Sequence, residues 1–118
     1  MPYTMLMHTV IETNAYLRAA KLAGIDADEQ AAIVAMIAAN PEAGEIMPGC
    51  GGARKLRVAR PGGGKSGGYR IVTYFAGETF PVFLLTVFPK NVKTNLTKAE
   101  QNAFAAACKQ LTDGLGGR

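Results

Sequence analysis

The chain is 118 residues long, 48% apolar and 19% charged, which fits one globular domain, and its longest apolar runs (31–39 and 80–88) fall far short of the roughly 20 residues a bilayer span needs. One histidine and two cysteines leave too few ligands for a structural zinc site, and because the N-terminus lacks the pattern of a secretory signal, Cys50 and Cys108 are expected as reduced thiols in a cytoplasmic protein. The formal charge of +4 is split: residues 1–47 hold two basic and six acidic residues (net −4) and residues 48–118 eleven basic and three acidic (net +8), the mark of either a polyanion-binding half or a solvated basic surface.

Residues 5–11, apolar and β-branched, read as a strand. Asn14 is placed to cap a helix over 15–22, ended by Gly24. Asp26 is a stronger N-cap signal, because Glu29 follows at capping-box spacing. Ile33, Val34, Met36 and Ile37 then recur at helical spacing as far as residue 39, and Asn40-Pro41 stops the helix because a residue before proline avoids the α region. A glycine-rich connection over 48–53 leads to a change of period. Over 54–60, Leu56 and Val58 point one way and Lys55 and Arg57 the other, as on a half-buried strand. Residues 61–68 form a glycine loop carrying Lys65, 69–75 a strand, 76–79 a tight connection, and 80–88 an apolar strand expected near the sheet's centre. After a loop over 89–95, Asn95 or Thr97 caps the last helix, with Thr97 and Glu100 at capping-box spacing, and the helix buries Leu96, Phe104, Ala107, Cys108 and Leu111. The order β-α-α-β-β-β-α predicts a single α+β domain over residues 1–118: a small, mostly antiparallel sheet with two N-terminal helices and one C-terminal helix packed on one face.

The densest chemical signal is the stretch 54–70, which holds Arg54, Lys55, Arg57, Arg60, Lys65 and Arg70 and no acid. Strand alternation sets Lys55 and Arg57 on one face, and a hairpin brings Arg70 alongside. Arginine forks grip phosphate oxygens bidentately and lysine adds a point charge, so such a face suits a phosphate backbone better than a solvated strand edge does. Residues 59–66 also fit a relaxed P-loop, but that mechanism needs a helix directly after Lys65-Ser66, and strand sequence follows instead. His8 reads as a partly buried filler of the first strand. No Ser-His-Asp set is present, and the basic half holds only Glu78, Glu100 and Asp113, so no carboxylate pair is expected there. Lysine and arginine chemistry remains feasible for RNA, whose own 2′-OH attacks the neighbouring phosphorus while the protein positions the chain and stabilises the pentavalent phosphate. Tyr69, Tyr74, Phe75 and Phe88 include candidates for a base-stacking platform.

The segments Gly51-Gly52-Ala53-Arg54-Lys55-Leu56-Arg57, Gly64-Lys65-Ser66-Gly67-Gly68-Tyr69-Arg70-Ile71-Val72-Thr73-Tyr74-Phe75 and Leu84-Leu85-Thr86-Val87-Phe88-Pro89-Lys90-Asn91 together resemble the toxins of the RelE/ParE superfamily, closest to the HigB-like branch with its GKSGG-type loop. The resemblance spans roughly residues 40–111. It implies a small antiparallel sheet with flanking helices, metal- and cofactor-independent cleavage of mRNA in the ribosomal A site through the 2′-OH, and neutralisation by a cognate antitoxin, in HigB-like pairs a helix-turn-helix protein of the HigA type. Implied partners are therefore that antitoxin, mRNA and the 70S ribosome, with no membrane. By position, Lys55, Arg57, Arg70 and Lys90 match the family's catalytic cations. Arg57 and Arg70 would carry transition-state charge, and Lys55 or Lys90 would act as base or acid. Arg54, Arg60, Lys65, Tyr69 and Asn91 are the matching candidates for RNA contact. Two departures are visible: Asn91 stands where RelE has an arginine, an ending HigB-like relatives share, and no tyrosine follows Tyr74, where RelE has a catalytic one. Competing expectations are a ParE-like toxin that binds and poisons DNA gyrase without a nuclease site, and a non-catalytic RNA-binding module.

Overall fold

The computed structural model describes residues 8–59, 68–89 and 96–114. The first strand, β1, covers Val10–Glu12; of the expected strand over 5–11, residues 5–7 lie outside the described residues, 8 and 9 are not in the strand, and 10 and 11 are. Thr13, not Asn14, caps the first helix, α1 (Asn14–Leu22). Its hydroxyl has both a donor and an acceptor to use: it accepts from the Tyr16 N–H at 3.1 Å and donates to the Leu84 carbonyl at 2.7 Å, tying the helix start to a distant strand. The second helix, α2 (Ala27–Ala39), opens on the expected capping box, with the Glu29 N–H donating to Asp26 Oδ1 at 2.8 Å and the Asp26 N–H to Glu29 Oε1 at 3.0 Å.

Past Asn40-Pro41 the chain forms a short strand that was not anticipated, β2 (Glu45–Ile46). Gly44 makes it possible: its φ is +94°, and a Cβ there would stand 2.6 Å from the Lys55 carbonyl oxygen. A turn closed by the Met47 N–H on the Ala53 carbonyl (2.9 Å) returns the chain as β3 (Arg54–Val58), followed by β4 (Tyr69–Phe75) and β5 (Val82–Pro89).

The five strands form one sheet in the order β1-β5-β4-β3-β2. Three pairings are antiparallel, but β1 runs parallel to β5, so the sheet is mixed. Short connections force the antiparallel neighbours; β1 and β5 are separated by both helices and the rest of the sheet, so no hairpin dictates their direction. Between β4 and β5 the register shifts: Val72 faces Thr86 but Thr73 faces Leu84, which leaves Leu85 as an extra residue in β5.

Helices cover both faces, not one. Tyr16 and Ala20 of α1 and Ile33 and Ile37 of α2 pack with Tyr69, Ile71 and Leu84. The third helix, α3 (Lys98–Gly114), packs Cys108, Phe104 and Leu111 against Met47, Ala53, Val72 and Phe83 on the opposite side. Ile71 and Val72 are consecutive in an extended strand and therefore face opposite layers. Consecutive apolar residues on an interior strand require cover on both sides, which one helical layer cannot supply. The start of α3 carries the expected reciprocal caps, the Glu100 N–H on Thr97 Oγ1 (3.1 Å) and the Thr97 N–H on Glu100 Oε1 (2.8 Å). Both cysteines are free and buried. Burial pushes both thiols up, Cys108 to about 11 with a smaller contribution from Cys50. Among the described residues, no helix is long and apolar enough to cross a membrane.

Candidate functional site

The side of the sheet that carries α3 is covered by it only in part. Where that cover ends, an open cleft of about 450 Å³ is lined by Gly44, Glu45, Lys55, Leu56, Arg57 and Arg70. The ladder explains why the charged residues meet. Lys55 and Arg57 are two apart on β3 and share a face, while Leu56 and Val58 turn to the α1/α2 layer. Arg57 stands directly opposite Arg70 on β4, and Lys55 directly opposite Glu45 on β2. Cross-strand partners lie on the same side of a sheet, so four charged side chains from three strands point into one space.

Like charges placed opposite each other in a ladder cost roughly 0.2–1 kcal/mol. Here that cost is uncompensated, since among the described residues none of Lys55, Arg57 and Arg70 has an ion-pair partner. Arg70 is the most constrained of them. It sits between Arg57 on one side and Phe88 on the other, and its Nε is buried with no hydrogen-bond partner among the described residues. A buried, unpartnered guanidinium nitrogen beside a second guanidinium is a receptor for an oxyanion. Among the described residues, no three His, Cys, Asp or Glu side chains are grouped so as to hold a metal ion.

The other candidates fall elsewhere. Arg54 lies on the opposite face from Lys55 and Arg57, and its Nη1 donates to the Glu42 carbonyl at 3.0 Å, so it clips β3 to the α2–β2 connection and does not enter the cleft. Tyr69 is 3% exposed and belongs to the α1/α2 core, which removes it as a stacking platform: alternation puts it on the opposite side from Arg70. Arg60, Lys65, Lys90 and Asn91 lie outside the described residues, as does most of the glycine loop; β4 follows that loop directly, with no helix of the kind a P-loop needs. His8 sits edge-on to Phe75, ring centroids 5.0 Å apart, away from the cleft.

The sequence matches the family model for the RelE toxin of the RelE/RelB toxin–antitoxin system over residues 8–115. The chain belongs to the RelE toxin family. It is thus the toxin member of a toxin–antitoxin pair, with a cognate antitoxin as partner.

One residue of this RelE-family cleft was missed in the sequence. In the sequence Glu45 counts only toward the charge of the acidic N-terminal half, and Asn40-Pro41 before it marks only the end of a helix. The available signal was a glycine followed by two residues able to extend, just before a turn that leads back into the basic strand.

Proposed function

We propose that this RelE-family toxin is a ribosome-dependent mRNA endoribonuclease of the HigB-like branch. It acts in the cytoplasm as a single domain and is neutralised by an antitoxin of the helix-turn-helix type. The observation that carries the reading is the in-register pair Arg57–Arg70 with Lys55 beside it, three cations without ion-pair partners among the described residues, at one cleft. RNA cleavage asks for that equipment. The 2′-oxygen attacks the adjacent phosphorus, negative charge builds on the non-bridging oxygens, and Arg57 and Arg70 are placed to receive it. The departing 5′-oxygen needs a proton, and the Lys55 ammonium can give one. Lys90 and Lys65, both outside the described residues, keep the roles the resemblance implies.

The deciding variant is Arg70→Ala. Removing one charge-stabilising donor costs about 10²–10³ in rate, so its expression should no longer arrest growth, primer extension should find the messages intact, and the variant should still co-purify with its antitoxin. Full toxicity of Arg70→Ala, with growth arrest that tracks loss of gyrase activity and not mRNA cuts, would replace this reading with gyrase poisoning.

A further inference from the structure

With Lys55 as the acid, the nuclease reading names no acceptor for the 2′-OH proton among the described residues. Among the described residues that line the cleft, the three basic side chains are donors: arginine does not deprotonate in proteins and lysine accepts only after shedding its own proton. One side chain there is an acceptor as it stands. Glu45 is exposed, and its carboxylate takes no hydrogen bond and no ion pair among the described residues, although the ladder sets it directly opposite Lys55. An edge-strand carboxylate whose task was to neutralise Lys55 would be closed onto it. This one lines the same cleft as Lys55, Arg57 and Arg70 without closing onto any of them. Its backbone is fixed from both sides, by the glycine-only approach of Gly44 to the Lys55 carbonyl and by Met47, two residues on and on the same face, which is buried under α3.

We propose that Glu45 is the general base of this toxin, an assignment that rests on the ribonuclease reading above. The Glu45 carboxylate takes the proton from the 2′-OH. The 2′-oxygen forms its bond to phosphorus as the bond to the 5′-oxygen breaks, and that oxygen leaves with a proton from Lys55. The products are a 2′,3′-cyclic phosphate and a 5′-hydroxyl; Glu45 then returns its proton to solvent and Lys55 regains one. With three cations around one carboxylate, the cleft stays net positive and still attracts the phosphate.

The test uses the full chain on ribosomes programmed with a defined message, in single turnover. Wild type, Glu45→Gln, Glu45→Asp and Lys55→Ala are each given a normal scissile linkage and one whose 5′-bridging oxygen is sulfur, a leaving group that needs no acid. Glu45→Gln should slow cleavage about 10²–10⁴-fold on both linkages, while binding the programmed ribosome within about 2-fold of wild type. Glu45→Asp should recover part of the rate. Lys55→Ala should be slow on the normal linkage and recover on the sulfur one. Cleavage by Glu45→Gln within about 3-fold of wild type overturns the base assignment and leaves the nuclease reading standing, and rescue of Glu45→Gln by sulfur as strong as that of Lys55→Ala reduces Glu45 to a residue that positions the lysine. Should wild type cut neither linkage, both readings fall together.

Discussion

Single atoms decide several properties of this protein. Tyr16 is fully buried between α1 and the sheet, and its hydroxyl has no hydrogen-bond partner among the described residues. Burial, helped by the nearby charge of Glu12, pushes the phenol up to about 12. The neutral phenol is therefore favoured in the folded chain, and its contribution is complete below pH 10, the ordinary value, and is lost as pH climbs toward 12. Two pK units amount to about 2–3 kcal/mol. Tyr16→Phe should unfold at equal or higher urea concentration at neutral pH, because an unpaired buried hydroxyl is removed, and should lose less stability than wild type between pH 10 and 12. Parallel losses in the two proteins over that range would dismiss the assignment. Legibility at this scale was uneven. Asp26 and Glu29 were readable because a capping box is local chemistry at fixed spacing. Arg54 falls on the Leu56 side by the alternation of its own strand, whereas the place of Glu45 depends on which strand returns beside it, which residue type alone does not state.

At the scale of elements, the attachment of α3 is the feature most open to test. It joins the sheet through a buried apolar strip, a hydrogen bond between the Tyr74 and Thr112 hydroxyls, and a close approach of its backbone to the turn before β3. That approach depends on Gly51, whose φ is +72° and whose missing Cβ would lie 2.7 Å from the Ala105 Cα. Gly51→Ala should lower stability by about 1–3 kcal/mol and speed hydrogen exchange through α3 more than through α2; uniform exchange across both helices would show that the contact does not hold α3. The strands β3, β4 and β5 were legible from alternation and β-branching, and α2 from its caps. The second helical layer was not: adjacent apolar residues such as Ile71 and Val72 state that both sides of β4 are buried without saying what buries them.

Across the whole molecule, charge and shape work together. The acidic half builds β1, α1, α2 and β2, and the basic half builds the rest of the sheet and α3, yet the cleft takes one carboxylate from the first and three cations from the second. Binding of a non-cleavable, 2′-deoxy-substituted RNA should weaken with salt, and Arg57→Ala should reduce the log–log slope by about 0.7, the single-strand value for one phosphate contact. Arg54→Ala, on the far side of the sheet, should leave that slope where it was. Equal effects of the two substitutions would mean that RNA does not use this face. Leu85 is an addition to this arrangement and not its hinge. Leu84 and Val87 both belong to the α1/α2 layer although three residues apart, because that one supernumerary residue stands between them; without it they would be two apart, as in any regular strand, and Phe88 would still flank Arg70 on the cleft side. What the extra step supplies is a second apolar side chain, next to Phe83, for α3 to rest on.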